Sequence, residues 1–402
     1  MENHKKEATT QARPGRVSRV LRGMLGVLLA SGAVSVIAMP QAPGVKAVAP
    51  IVVESANTTS VEKVLERSEA RRLVFVGETH TSLSDHQLQL QVLKAMQAQG
   101  GELAIGVEWF QRPFQPVLDR YVRGEIDEQT LLRESEYFDR WGFDFRLYRD
   151  ILRFAREQGI RILALNTSRE LSAAIRKQGL DGLSGEDRGR LPEDYDFNNA
   201  EYTEQLKAVF ELHQGRDKDD PEAFQRFLEV QLTWDETMAA GVAEYLGAGV
   251  ENRILVLAGR GHTHEAAIMG RVARRIGLRG LSIASYRPGD VFEQPDFLVL
   301  QPSQYLPPSG LIGVGLEERD DQVLIVSISD GSNAGRAGVT VGDRLLEIDG
   351  TPIGDYVDVK LAMMDREPGE TLSIKLERAS FFGLKSQEDV AVTLVPRRPA
   401  MH

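Results

Sequence analysis

The 402-residue chain contains no cysteine. Disulfides, thiolate zinc sites, cysteine nucleophiles and a lipid-modified N-terminal cysteine are thereby excluded, and the chain withstands an oxidising compartment without a cross-link. There is no internal repeat of fixed period, which sets aside solenoids and propellers. No Gly-x-Ser-x-Gly nucleophile elbow occurs, and no phosphate-binding glycine loop with its lysine; Gly259-Arg260-Gly261 alone is a weak signal. His264-Glu265-Ala266-Ala267-Ile268 lacks the second histidine of a zincin helix. Positive charge is in deficit too, with 48 Lys and Arg against 59 Asp and Glu and a net charge of −11. Lys5, Lys6, Arg13, Arg16, Arg19 and Arg22 make the first 23 residues locally basic, so the body is more acidic still. Such a body repels phosphate backbones and argues against nucleic acid as a partner.

Apolar residues make up 42% and charged residues 27% of the chain, the proportions of a soluble globular protein, and the length suggests two or three domains. Residues 1–22 form a basic segment, and Met24 to Met39 is an apolar run ending in Val36 and Ala38 before Pro40. That order is the order of a secretory signal peptide, so the expectation for residues 1–39 is export to the periplasm or the outer side of the cytoplasmic membrane, by a cleaved signal or an uncleaved anchor. A retained anchor would associate the protein with the membrane; spanning needs roughly 20 apolar residues, and Pro40, Gln41 and Pro43 interrupt the run. Residues 40–57, rich in Pro, Ala and Val, read as a linker.

From residue 58 to 298 apolar runs alternate with helical patterns. Arg72 to Gly77, Leu103 to Val107, Arg161 to Leu165, Arg253 to Ala258 and Leu281 to Ser285 read as strands buried on both faces. Asp85 to Gln99, Tyr148 to Gln158, Ala200 to His213, Pro221 to Leu246 and Glu265 to Ile276 read as helices, with Ser168 capping another. Alternation of this kind predicts βαβ units and an α/β domain, a parallel sheet with flanking helices. Val299 to Ser309 is a Pro-rich boundary, and residues 310–396 read as a small, mostly β second domain.

The polar residues of interest fall where predicted strands end. Glu78 and His80 follow the first, Glu108 ends the second, Asn166 ends the third, and His262 and His264 follow the fourth. In an open parallel sheet ligands bind beyond the carboxyl ends of the strands, so these segments converge. Imidazoles with carboxylates suit a divalent transition metal such as Fe, Mn, Co or Zn, and imidazole or tyrosine is also a ligand for haem iron. His80, His262 and Glu78 are the expected metal ligands, with His80, His262 and His264 as cofactor-binding residues. Glu78 and Glu108 are the candidate catalytic groups if a metal-bound water is activated. The bland alternatives are that Glu78 and Thr79 cap the next helix and that His262 donates to a carbonyl. His86 reads as part of a solvated helix face, His213 as surface, and Trp234-Asp235 as core plus a helix-face carboxylate that the helix could bring near the site.

With Gly77-Glu78-Thr79-His80, Val107-Glu108-Trp109, Gln231 to Ala239 (QLTWDETMA) and Gly259-Arg260-Gly261-His262 in this order, residues 60 to 290 resemble the ChaN-type haem-binding uptake family. That family belongs with the Tiki metalloproteases and is similar to the erythromycin esterases, which share a Gly-Glu-x-His motif. The resemblance implies exported proteins that bind haem and are proposed to serve iron uptake. It also implies that His80 and His262 match metal-binding histidines, and Glu78 and Glu108 acidic positions, of that superfamily. Two features depart from the pattern: this chain has no cysteine for a lipoprotein anchor, and no tyrosine sits in a motif that matches a haem ligand.

Residues 310 to 396 resemble a PDZ domain of the bacterial protease-associated type, through Leu311 to Leu316 (LIGVGL), Ala337 to Gly350 (AGVTVGDRLLEIDG) and Pro368-Gly369-Glu370. A PDZ domain adds an extended peptide to a sheet edge and captures its terminal carboxylate on backbone amides. Ile312, Gly313 and Val314 would form that loop, unless the neighbouring domain covers the groove. Two functions follow as expectations: a haem or iron carrier whose PDZ domain docks a peptide or protein partner, or a metal-dependent hydrolase whose PDZ domain recruits polypeptide. Whether the chain is a monomer or a homodimer stays open.

Overall fold

The computed structural model describes residues 58–213, 222–286, 295–379 and 384–396. The export segment 1–39, the linker 40–57 and the side chain of His213 lie outside the described residues. Among the described residues no helix is long and apolar enough to cross a membrane.

The first domain runs α1 Val61–Glu69, β1 Leu73–Glu78, α2 Leu83–Ala98, β2 Leu103–Gln111, α3 Gln115–Val122, α4 Glu128–Glu134, α5 Tyr137–Arg140, α6 Arg149–Glu157, β3 Arg161–Asn166, α7 Arg169–Gln178, α8 Gly185–Arg188, α9 Ala200–His213, α10 Ala223–Gly247, β4 Arg253–Gly259, α11 Gly270–Ile276, β5 Leu281–Ser285 and β6 Phe297–Val299. The strands pair in the order β3-β2-β4-β1-β5-β6, and every pairing is parallel. The sheet is buried on both sides because alternate residues feed two cores. Val74, Val76, Ile105 and Val107 pack with Leu88, Val92 and Leu93 of α2. Leu73, Phe75 and Ala104 pack with Met238 and Val242 of α10 on the opposite face. Continuous apolar strands are what this two-sided burial requires.

Local signals act as the sequence predicts at several ends. Ser168 accepts a hydrogen bond from the Leu171 amide and caps α7. Ser82, rather than Glu78 or Thr79, caps α2 by accepting from Asp85 N. The helix predicted over 265–276 begins as a π turn, Glu265–Met269, kinked at Ala267, before α11 continues. Glycine at 270 permits the kink, since a Cβ there would stand 2.1 Å from the Glu265 carbonyl oxygen.

The second domain comprises β7 Gly310–Leu311, β8 Val314–Arg319, β9 Gln322–Ile328, β10 Arg344–Ile348, β11 Thr351–Pro352, α12 Tyr356–Met363, β12 Thr371–Ala379, β13 Lys385–Thr393 and β14 Val395–Pro396. Its antiparallel sheet has the order β13-β12-β10-β9-β8, which leaves β8 at an edge beside α12. Asp355 and Asp358 close a capping box at the start of α12. Val323, Ile325, Leu345, Ile348, Leu372 and Ile374 fill the core.

Candidate functional site

The strand order decides which residues meet. The chain passes from β1 to β2 and β3, then returns so that β4 inserts between β1 and β2. The carboxyl ends of these three central strands therefore lie side by side, carrying Glu78, the segment after Gly259, and Glu108. Such a reversal of strand order opens the crevice in which α/β proteins bind ligands.

Glu78 is buried at the end of β1, and its Oε1 lies 2.5 Å from Nδ1 of His80. Its Oε2 is buried without a hydrogen-bond partner, with His86 Nε2 4.0 Å away. The Gly259 amide donates to Glu108 Oε2 at 2.6 Å, and Glu108 Oε1 stands 3.6 Å from Nε2 of His262. A Cβ at Gly259 would stand 3.0 Å from Cε1 of His80 and 3.4 Å from Glu108 Oε2, so a residue without a side chain keeps the two groups together over the end of β4. One ligand atom from each of Glu78, His80 and Glu108 falls within 4.8 Å of the others. That trio differs from the expected set in taking Glu108; His262 borders it through Glu108.

A buried network holds His262. Its Nδ1 lies 2.6 Å from Asp235 Oδ1, and Tyr202 donates to Asp235 Oδ2 at 2.6 Å. A carboxylate accepts, so Nδ1 carries the proton and Nε2 faces Glu108. Burial works to lower the pKa of His262, but the Asp235 and Glu108 charges and the Asp235 hydrogen bond outweigh it and push it up to about 9. His80 is raised as well: burial opposes the charge, and the Glu78 hydrogen bond with the Glu78 and Glu108 carboxylates prevails. Asp235 goes the other way; burial would raise it, while His262, Arg271 and Tyr202 hold it below the usual carboxylate range.

Above this floor opens a cavity of about 660 Å³ that reaches His80, Glu108 and His262. Its walls include Trp109, Trp141, Phe143 and Trp234. The rings of Trp141 and Phe143 each lie 4.7 Å from the His80 ring. Asn166, Gln111 and the arginines 140, 169 and 176 are among the other lining residues. Arg169 and Arg176 are exposed, and the Asn166 side chain accepts from the amide of Thr167.

Four expected residues, Glu78, His80, Glu108 and His262, thus come together. His264 does not line the cavity: it is buried, hydrogen-bonds the Gly261 carbonyl through Nε2, and burial lowers its pKa. His86 requires a correction, because it is buried rather than solvated. Asp85, His86 and Gln89 continue the buried stripe of Val92, Leu93 and Met96, so the polar start of α2 faces inward beneath the site. There His86 contacts Gln89 through Nδ1 at 3.0 Å and meets the Tyr148 ring edge-on, with centroids 4.5 Å apart. Asp235 is the helix-face carboxylate that the helix does bring to the site. Arg140, Trp141 and Phe143 were missed, and the only signal available was the aromatic density of Tyr137 to Phe145 (YFDRWGFDF).

A parallel sheet with carboxylates and imidazoles gathered at its switch point, followed by a PDZ domain, is the class of protein this geometry defines. The chain belongs to the family described as haem-binding uptake, Tiki superfamily, ChaN, whose model matches residues 64–272, and a PDZ model matches residues 310–393. A solved structure of cofacial haem binding to ChaN of Campylobacter jejuni is 17% identical, with a TM-score of 0.50 over 60% of this chain and 91% of that one; the likeness is one of fold. A serine endoprotease from Yersinia pestis is 23% identical over 23% of this chain and 30% of its own, with a TM-score of 0.20. Among curated proteins, RETICULATA-RELATED 5 of Arabidopsis thaliana is 22% identical over 134 residues, 32% of this chain; the match spans only 18% of that protein's length.

Proposed function

We propose that this protein is an exported haem carrier of the ChaN type that binds haem in the aromatic cavity over His80 and docks a peptide or protein partner through its PDZ domain. The observation that carries the reading is the cavity itself. Its size falls in the range of about 300–1,000 Å³ typical of cofactor sites, its indole and phenyl walls suit a planar apolar macrocycle, and the exposed guanidinium groups of Arg169 and Arg176 suit carboxylates. His80 would hold the iron through Nε2, because Nδ1 is committed to Glu78. His262 is the alternative ligand, oriented by Asp235. When bound, haem supplies the iron to be carried; the residues supply binding, orientation and exclusion of water.

The carboxylate-rich trio of Glu78, His80 and Glu108 favours one further reading, a bare divalent ion of Fe, Mn, Co or Zn, and the partnerless oxygen of Glu78 fits a cation. The family match supports haem carriage and does not support peptide cleavage, so the hydrolase alternative is set aside. The PDZ reading is supported by Gly313, whose φ of +81° turns the loop, and by the edge position of β8. Export is supported by the N-terminal pattern and is tested by sequencing the N-terminus of the mature protein from cell fractions; an intact Met1 in the cytoplasm would overturn it.

The deciding experiment is a haemin titration of residues 43–402 with parallel metal analysis. A stoichiometric Soret shift, weakened at least tenfold in His80→Ala, is the expected result. No shift, with a transition metal copurifying instead, would replace haem by the bare ion.

A further inference from the structure

A second cavity, of about 390 Å³, lies at the mouth of the PDZ groove and is not built by the PDZ domain alone. Leu311, Lys360, Met363 and Met364 form one side, and Phe138, Phe143, Phe145 and Asp144 of the first domain, the last paired with Arg146, form the other. Leu311 immediately precedes the loop Ile312-Gly313-Val314, and α12, which carries Lys360 and Met363, flanks the edge strand β8. The two domains are tied together across this cavity. Leu361 and Met364 pack on the core of the first domain, Arg133 bridges Asp355 and Asp358, and Arg149 meets Asp365 at 2.5 Å. α12 is held in this way, and the wall facing it is the aromatic turn at Gly142, whose φ is +76°. Phe143 lies on that turn, and it is also a wall of the first cavity, with its ring 4.7 Å from that of His80 and 5.3 Å from that of Trp141.

We propose that this composite pocket receives the apolar last side chain of a polypeptide's free C-terminus, and that filling it resets the His80 site through Phe143. The proposal rests on the reading of the second domain as a peptide-docking PDZ domain. The occupant is chosen by chemistry on the page. Two methionines and three phenylalanines suit an apolar side chain of variable shape. The loop amides and the Lys360 ammonium suit a carboxylate, and the free edge of β8 suits an extended backbone. Because coupling between sites is reciprocal, peptide and haemin then change each other's affinity by the same factor.

The test uses residues 43–402 and fluorescein-labelled decapeptides ending in Ala, Val, Leu or Phe, each as free acid and as amide. Free acids with a large last residue should bind, their amides should not, and Met363→Asp should abolish binding while leaving the haemin titration unchanged. Saturating peptide should alter the Trp141 contribution to tryptophan emission in the haemin-free protein, a change lost in Trp141→Phe. It should also shift haemin affinity by about tenfold, within the usual range of coupling. In Phe143→Leu the ratio of haemin affinities with and without saturating peptide should fall to one, whatever the variant's own affinity for each ligand. If acids bind but neither emission nor haemin affinity changes, the coupling is refuted and the docking reading survives. If no acid binds, the docking reading falls, and the coupling with it. Binding of acid and amide alike would mean that a second copy or an internal segment is the occupant and would overturn the pocket as a C-terminus site.

Discussion

At the scale of single residues, the site is a set of opposed charges in a mostly buried place. His262 between Asp235 and Glu108 stays protonated to about pH 9 in the haem-free protein. Its folded pKa lies above the unfolded value of about 6.5, so its charge stabilises the fold fully below pH 6.5, and that stabilisation is lost as pH rises through 9. Haem-free protein should therefore lose on the order of 3 kcal/mol of stability between pH 6.5 and 9, with a falling melting temperature, and calorimetry in this window checks it. Asp235→Asn should flatten that pH dependence and cost about 3–5 kcal/mol at pH 6.5, because it leaves a buried imidazolium with half its compensation. A pH profile in Asp235→Asn identical to wild type would remove the pairing from the account. The sequence made Glu78, His80, Glu108 and His262 legible because each follows an apolar run, and a parallel sheet brings every carboxyl strand end to one edge, the strand order then making β2, β4 and β1 neighbours. Asp235 and His86 were harder to read, since each lies on a helix whose polar residues look solvated until the facing layer is known. Asp235 points from α10 at the loop after β4, and His86 points from α2 under the floor of the site.

At the scale of elements, the insertion of β4 between β1 and β2 makes two glycines structural parts of the site. A Cβ on Gly77 would stand 2.4 Å from Thr263 Oγ1 and 3.0 Å from the Arg260 Cα, so β1 can run under the Gly259 to His262 turn only without a side chain there. Gly259→Ala should push His80 away from Glu108, weaken haemin binding by tenfold or more, and cost about 1–3 kcal/mol as an overpacked position. A titration unchanged in this variant would show that the two side chains need not approach. The parallel strands were legible because burial on both faces leaves an unbroken apolar run. Residues 111–147 were not, although they supply Arg140, Trp141 and Phe143. Their helices are four to eight residues long, too short to display a helical period, and are held by tertiary packing of Leu118, Tyr121, Leu131 and Tyr137. The edge strand β6 and the PDZ strands β8, β10 and β13 are likewise fixed by their pairing partners more than by any local pattern.

At the scale of the whole molecule, the Pro-rich boundary reads as a spacer from composition, yet it is fastened to the first domain. Leu83 N donates to the Gln304 carbonyl, Gln301 reaches Ser84 and Ser285, and Leu306 packs on the core. The PDZ domain continues this attachment through α12. Its ion pairs with Arg133 and Arg149 are partly exposed and each contributes no more than about 1 kcal/mol. The apolar contacts of Leu361 and Met364 with the first core therefore dominate the attachment, since burial of such side chains is worth roughly 1.5–3 kcal/mol when complete. Arg133→Ala should accordingly leave a single calorimetric transition with its midpoint nearly unchanged. Leu361→Asp with Met364→Asp should split that transition into two, because each domain has a core of its own and only the contact between them is lost. If the double variant still melts in one step, the domains are joined by the fastened segment 299–309 rather than by α12, and Phe143 is then free of any restraint from the PDZ helix.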